Sequence, residues 1–131
     1  MAPAASELIY QNLEDFKRSP EDYDKIVTGD LGTVGAEILI KLLKEKGYDI
    51  SSVHEDCGIL IFDGKTQGTG AGGSGCGCSA VTLSAHFLKE LKERKLRRIL
   101  FVPTGALLSP VSFNEGQSVP GIAHGVVIEA V

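Results

Sequence analysis

The sequence predicts an α/β fold, three layers of α/β/α around a mostly parallel mixed sheet whose last strand runs antiparallel. Two observations predict it. Segments with helically spaced apolar residues alternate with short, continuous apolar runs, and such alternation gives parallel strands joined by right-handed helical crossovers. The connection before the final run holds no helical pattern, so that strand is expected to run against the others. The 131 residues, 43% apolar and 23% charged, form one domain, 1–131. A chain of this length hides roughly two-thirds of its unfolded surface and needs no disulfide or metal staple.

Taken in order, residues 3–17 repeat apolar groups at Ala5, Ile9, Leu13 and Phe16, a helix with proline at its start. Ser19-Pro20-Glu21-Asp22 ends it in a turn. Asp24 to Thr28 is a short strand leading into Gly29-Asp30. Val34, Ile38 and Leu42, with Leu39 and Leu43, make the apolar stripe of a second helix stopped by Gly47. Gly58 to Phe62 reads as a strand covered on both faces. From Gly64 to Gly77 glycine and small polar residues make a loop. Val81, Ser84, Ala85, Leu88 and Leu91 then restore helical spacing through to Arg94, with basic residues at the end the helix dipole favours. Ile99 to Val102 is a buried strand, Pro103 to Ser118 a loop, and Ile122 to Ile128 the closing strand, with His124 expected in the core. The chain opens on a helix, so the strand that would ordinarily feed that helix is missing.

Several function classes are disfavoured. A formal charge of −4 offers no general attraction for nucleic acid. No apolar run approaches the ~18 residues that cross a bilayer, and the amino terminus lacks a signal-peptide pattern. Three cysteines, an odd number, suit free thiols in a reducing compartment.

Gly70, Gly72 and Gly75 match the G-x-G-x-x-G spacing of a dinucleotide loop, but no carboxylate follows the next strand to hold a ribose, and close helix-to-sheet approach explains the glycines better. Cys57, Cys76 and Cys78 with His54, His86 or His124 lack the paired spacing of a zinc site, so neither metal nor cofactor is expected. The stretch Gly73-Ser74-Gly75-Cys76-Gly77-Cys78-Ser79 sets small residues with bare N–H groups where a helix starts, which attracts carboxylate or phosphate. Alternatively Ser74 or Ser79 caps that helix, a contribution of about 1 kcal/mol. Asp30 and the stretch from Thr104 to Ser109 follow strand ends at the edge where α/β sheets bind ligands.

Val27-Thr28-Gly29-Asp30-Leu31-Gly32, Asp56-Cys57-Gly58, Gly72 to Ala80, Pro103 to Pro110 and Ile122-Ala123-His124-Gly125, taken together, resemble the carboxyl-terminal part of the stage V sporulation protein AD family. The likeness runs from Ala2 to about Glu129. It implies a thiolase-like fold of two similar halves, of which this chain is most of the second. It also implies a non-catalytic, dipicolinic acid-binding component of the spore's dipicolinate uptake machinery. Such a component is cytoplasmic and peripheral to the inner forespore membrane, and its partners are other stage V sporulation membrane proteins. Where thiolases and ketoacyl synthases carry catalytic histidine, asparagine or cysteine, this chain has Gly29-Asp30, the Gly-Ser-Gly-Cys turn and Thr104-Gly105-Ala106. Two carboxylates flanking an apolar ring suit backbone donors at a helix start, so the expected ligand set is Gly73, Ser74, Gly75, Cys76, Thr104, Gly105 and Ser109, with Asp30 meeting the calcium of a dipicolinate chelate or pointing elsewhere. An acyl-transfer fragment completed by a partner chain and a purely structural subunit are the alternatives. The half-to-half face is expected to be exposed, and a homodimer to cover it.

Overall fold

The computed structural model describes residues 1–106 and 109–131. Helix α1, Ala2–Phe16, buries Ala5, Ile9 and Leu13 of the four residues its spacing selects, while the fourth, Phe16, is 61% exposed in the last turn. A 3-10 turn at Pro20–Asp22 follows, closed by the Ser19 amide donating to the Asp22 carboxylate at 2.7 Å. Strand β1, Lys25–Thr28, leads to helix α2, Gly32–Glu45, and then to strand β2, His54–Asp56. After the short helix α3, Cys57–Ile61, and the glycine-rich loop comes one continuous helical stretch. It is built from α4, Cys78–Thr82, a π-helical turn over Leu83–Phe87, and α5, Leu88–Lys92. Strands β3, Arg98–Val102, and β4, Thr104–Ala106, precede helix α6, Pro110–Asn114, and strands β5, Gly121–Ala123, and β6, Val126–Glu129.

The main sheet has the order β2-β1-β3-β6. Strand β1 pairs in parallel with both β2 and β3, and β6 runs antiparallel to β3, as the helix-free connection predicts. Strand β1 lies directly against β3. One face carries α1 and α2 over Ile26, Leu100 and Val102. The other carries the α4–α5 helix, which packs Cys78, Phe87 and Leu91 against Val27, Ile99 and Phe101. Layers of helix, sheet and helix result.

Four expectations are corrected. The run expected as a strand from Gly58 to Phe62 is helical through Ile61, with Phe62 the extended residue that ends the helix, and β2 is the polar triplet before it. Asp56 takes the Ile59 amide at 3.3 Å and caps α3, while Ile59, Leu60 and Ile61 stay 41–45% exposed. Five apolar residues carry no period that separates strand from helix. The Pro103–Ser118 segment holds β4 and α6, and the latter starts with the Ser109 hydroxyl accepting the Ser112 amide at 3.3 Å ahead of Pro110. The Leu107-Leu108 part of that segment lies outside the described residues. The closing strand splits at His124-Gly125, so β5 pairs with β4 and β6 with β3. Gly125 sits so close to Leu8 that a Cβ there would overlap it, and His124, expected in the core, is exposed.

The fourth correction concerns direction. Val81, Ser84, Ala85 and Leu88 share a helical stripe as read, but it faces outward, with Val81 58% and Leu88 42% exposed. Thr82, Phe87 and Leu91 are the inward residues. Ile59, Leu60 and Ile61 are exposed on α3, which packs beside α4. In α2, Leu39 and Leu43 are fully buried while Val34 and Ile38 are exposed. Among the described residues, no helix is long and apolar enough to cross a membrane.

Candidate functional site

Strands β1, β2 and β3 are parallel, so the chain leaves all three at one edge of the sheet, through Gly29-Asp30, Cys57-Gly58 and Pro103-Thr104. There Asp56, 2% exposed, organises the connections. Its carboxylate accepts the Thr28 hydroxyl at 2.6 Å and the Leu31, Gly32 and Ile59 amides at 2.9, 3.2 and 3.3 Å. Two of those amides open α2 and one lies in α3, so a single side chain fixes both helix starts to the sheet. Thr28 has one hydroxyl proton and gives it to Asp56. The His54 Nε2, 3.0 Å from the Thr28 oxygen, is therefore assigned as the donor between those two groups.

Burial holds the His54 imidazole below the ordinary histidine pKa, against the pull of the Asp56 and Glu55 charges. The sign of the pH effect follows. Below about pH 6.5 the unfolded chain takes up a proton that the folded imidazole refuses, so stability is full above that value and falls as pH drops toward the folded pKa. Urea midpoints across this range should show the slope in the native sequence and a flatter profile in His54→Gln.

The glycine-rich loop is laid across this edge. The Thr33 amide and hydroxyl both donate to the Ala71 carbonyl, at 2.6 and 3.1 Å. Gly32 has a φ of +70° and touches Ala71 and Gly72 where any Cβ would overlap the Ala71 carbonyl. Gly58 is packed the same way against the Gly73 carbonyl, and Gly73 against the Phe62 ring. These glycines let three backbones meet. Of Gly70, Gly72 and Gly75, for which close helix-to-sheet approach was expected, Gly72 meets the Gly32 backbone, whereas a Cβ on Gly70 or Gly75 would have nothing within 4 Å. The loop is pinned by Asp30, whose Oδ2 accepts the Ser74 hydroxyl at 2.6 Å and the Gly75 amide at 3.3 Å.

That contact changes the expected cradle. Ser74 and Gly75 were expected to offer free donors to a ligand carboxylate, and they hold the chain's own. Neither Ser74 nor Ser79 caps the helix, which begins from Gly77 without a side-chain cap. Asp30, Gly73, Ser74 and Gly75 are brought together, with exposed Cys76 next in the chain. Thr104 lies against Gly29, its amide 3.2 Å from the position a Cβ there would take, and its buried hydroxyl oxygen has no hydrogen-bond partner. Gly105 is exposed. Ser109 caps α6 and lines a separate cavity of about 370 Å³ with Pro110, Phe113 and Val119. Thr28, His54 and Asp56 were missed as site residues. An Asp just ahead of an apolar run is a helix-start signal and could have revealed the last of them.

The three thiols differ. Cys57 and Cys78 are buried and Cys76 is exposed. Burial pushes the Cys57 thiol up to about 12, a poor nucleophile at neutral pH, and raises Cys78 as well. Brief iodoacetamide treatment of the folded protein should add one carbamidomethyl group, on Cys76; three groups at the same rate would contradict the packing. Among the described residues, no three His, Cys, Asp or Glu side chains are placed to share a metal ion.

The family model described as Stage V sporulation protein AD matches residues 1–129. This chain belongs to the stage V sporulation protein AD family. It is 50% identical over 129 residues to Stage V sporulation protein AD of Bacillus subtilis (strain 168), covering 98% of this chain and 38% of that protein. The chain thus spans 38% of the length of the curated relative it matches. The matched region contains the whole carboxyl edge of the sheet, from Thr28 to Thr104, so the Asp56 hub and the Asp30 contact lie within the family's domain.

Proposed function

We propose that this chain is a non-catalytic binding component of the spore's dipicolinate uptake machinery, and that it takes dipicolinic acid as the calcium chelate. One observation carries the reading. Asp30 already fills the Ser74 and Gly75 donors, so the site presents a carboxylate to solvent. A bare dianion meets repulsion there, whereas a chelated cation meets a fixed negative oxygen. Thr104 lies beside Gly29 at the same edge of the sheet. A non-catalytic role is supported by the use of the edge's polar groups, since Thr28, His54 and Asp56 are committed to one another and to backbone amides.

Calorimetric titration separates the possibilities. Calcium dipicolinate should release heat on binding, with free dipicolinate weaker by about tenfold or more, and Asp30→Asn should narrow that gap. Equal affinity for both forms in the native sequence would remove Asp30 from the site. No heat from either would leave a purely structural subunit. Incubation with acyl-coenzyme A followed by intact-mass measurement should show no adduct; a stable acyl group on a cysteine would support the condensing-enzyme fragment instead. The outward stripe of Val81, Ser84 and Ala85 is the surface we assign to the partner that shares the helix layer, a second copy or another stage V protein.

A further inference from the structure

Asp30 is the one residue between two fixed points of the chain. On one side the Gly29 carbonyl accepts the Gly58 amide at 3.1 Å, and on the other the Leu31 and Gly32 amides donate to the Asp56 carboxylate at 2.9 and 3.2 Å. The second point depends on a row of side chains. His54 Nε2 lies 3.0 Å from the Thr28 hydroxyl oxygen, and that hydroxyl donates to Asp56 Oδ1 at 2.6 Å. Bonds in such a row polarise one another, so Thr28 donates more strongly to Asp56 while His54 donates to Thr28. The register pairs Ile26 with His54 and Thr28 with Asp56, which sets these four side chains on one face of the sheet, under α1 and α2. Few charges surround the imidazole. Asp56 shares its face, Glu55 on the opposite face is paired with Lys25, the buried residues of α1 and α2 carry no charge, and α3 brings only the buried Cys57 thiol.

We infer that His54 is a positioning residue for the Asp30 site: neutral, it holds the turn from Gly29 to Gly32 through Thr28 and Asp56, and charged, it lets that turn loosen. The apolar layer over the ring cannot solvate a charge, and the ring is only part-buried, so the imidazolium turns toward water and leaves Thr28 without its donor. The Glu55 carbonyl, 3.4 Å from the Thr28 oxygen, is a second acceptor to which the hydroxyl can then turn. Asp56 loses its shortest bond, its grip on the Leu31 and Gly32 amides relaxes, and Asp30 is no longer set against Ser74 and Gly75. Binding is thereby tied to pH, tighter near neutrality than in mild acid. That consequence rests on the proposed ligand role of Asp30; the positioning itself does not.

Nuclear magnetic resonance of the ligand-free protein, followed from about pH 7.5 to about pH 5, reads the linkage. The His54 ring signals and the amide signals of Leu31, Gly32, Asp30 and Gly75 should titrate with one midpoint while those of β3 stay in place. His54→Gln keeps a donor and has no titrating proton, so its amide signals should hold still. Thr28→Val should leave the ring titrating and the Leu31 and Gly32 amides unmoved. In calorimetry with calcium dipicolinate the native sequence and His54→Gln should bind alike near neutrality, and the native sequence about fivefold more weakly in acid, the equivalent of about one hydrogen bond. A ring that does not titrate in this range, amide signals that do not follow it, or amide signals that take the same course in His54→Gln or Thr28→Val would overturn the positioning role. A shared midpoint with no heat from either protein would uphold it and remove the ligand reading instead. A shared midpoint with equal affinities in acid would overturn the link to binding.

Discussion

Asp56→Ala is expected to destabilise the fold by about 3–4 kcal/mol, the largest effect of any single polar substitution at this edge. The reason is the number of groups left behind. The carboxylate receives a threonine hydroxyl and three backbone amides in a site 2% exposed, and no neighbouring residue replaces it. Each buried donor left without a partner costs about 1–3 kcal/mol before relaxation, and some amides at helix starts will recover water. Chemical denaturation should show the midpoint moving far down with little change in slope. Asp56→Asn keeps the shape but offers one acceptor oxygen in place of two, and should lie between the native protein and Asp56→Ala. A loss under about 1 kcal/mol for the alanine variant would mean that the two helix starts are fixed by other contacts.

Gly58→Ala should cost about 1–3 kcal/mol and abolish ligand binding at the same time. A methyl group at residue 58 runs into the Gly73 carbonyl and approaches the Asp56 carboxylate and the Asp30 backbone within 3.2 and 3.3 Å. None of these is the free end of a flexible side chain. The loop bearing Ser74 and Gly75 must lift, and it leaves Asp30 as it does so. Stability and binding are therefore coupled at this residue, whereas Asp30→Asn should disturb binding with a smaller change in stability. Comparing the two variants by denaturation and by titration checks the coupling.

The fold was largely legible where burial and period agree. Ala5, Ile9 and Leu13 mark α1, and Ile26-Val27 and Ile99 to Val102 mark the two central strands, because a face fully covered by protein demands apolar residues at fixed intervals. It was illegible where an apolar pattern faces solvent. Val81, Ser84 and Ala85 make as good a stripe as any core residues, and nothing local to the helix tells which side meets the sheet. The split between β5 and β6 turns on Gly125 meeting Leu8, more than a hundred residues earlier in the chain. Within the site, Asp30, Ser74 and Gly75 were each readable from their places at strand and helix ends. Their mutual contact spans 44 residues and was not, since it depends on how three loops are stacked by Gly32, Gly58 and Gly73. Asp56 was hidden because the apolar run after it reads as a strand, and a strand needs no helix cap.

The ligand is expected to lodge where Asp30 and the Ser74–Gly75 turn meet, with Thr104 close by against Gly29. Amide chemical-shift mapping with calcium dipicolinate tests it most directly. The signals of Asp30, Ser74, Gly75 and Thr104 should move together and saturate, while those of β3 and of Ser112 and Phe113 in α6 stay in place. Shifts confined to α6 and its cavity, or none at all up to millimolar ligand, would contradict the account.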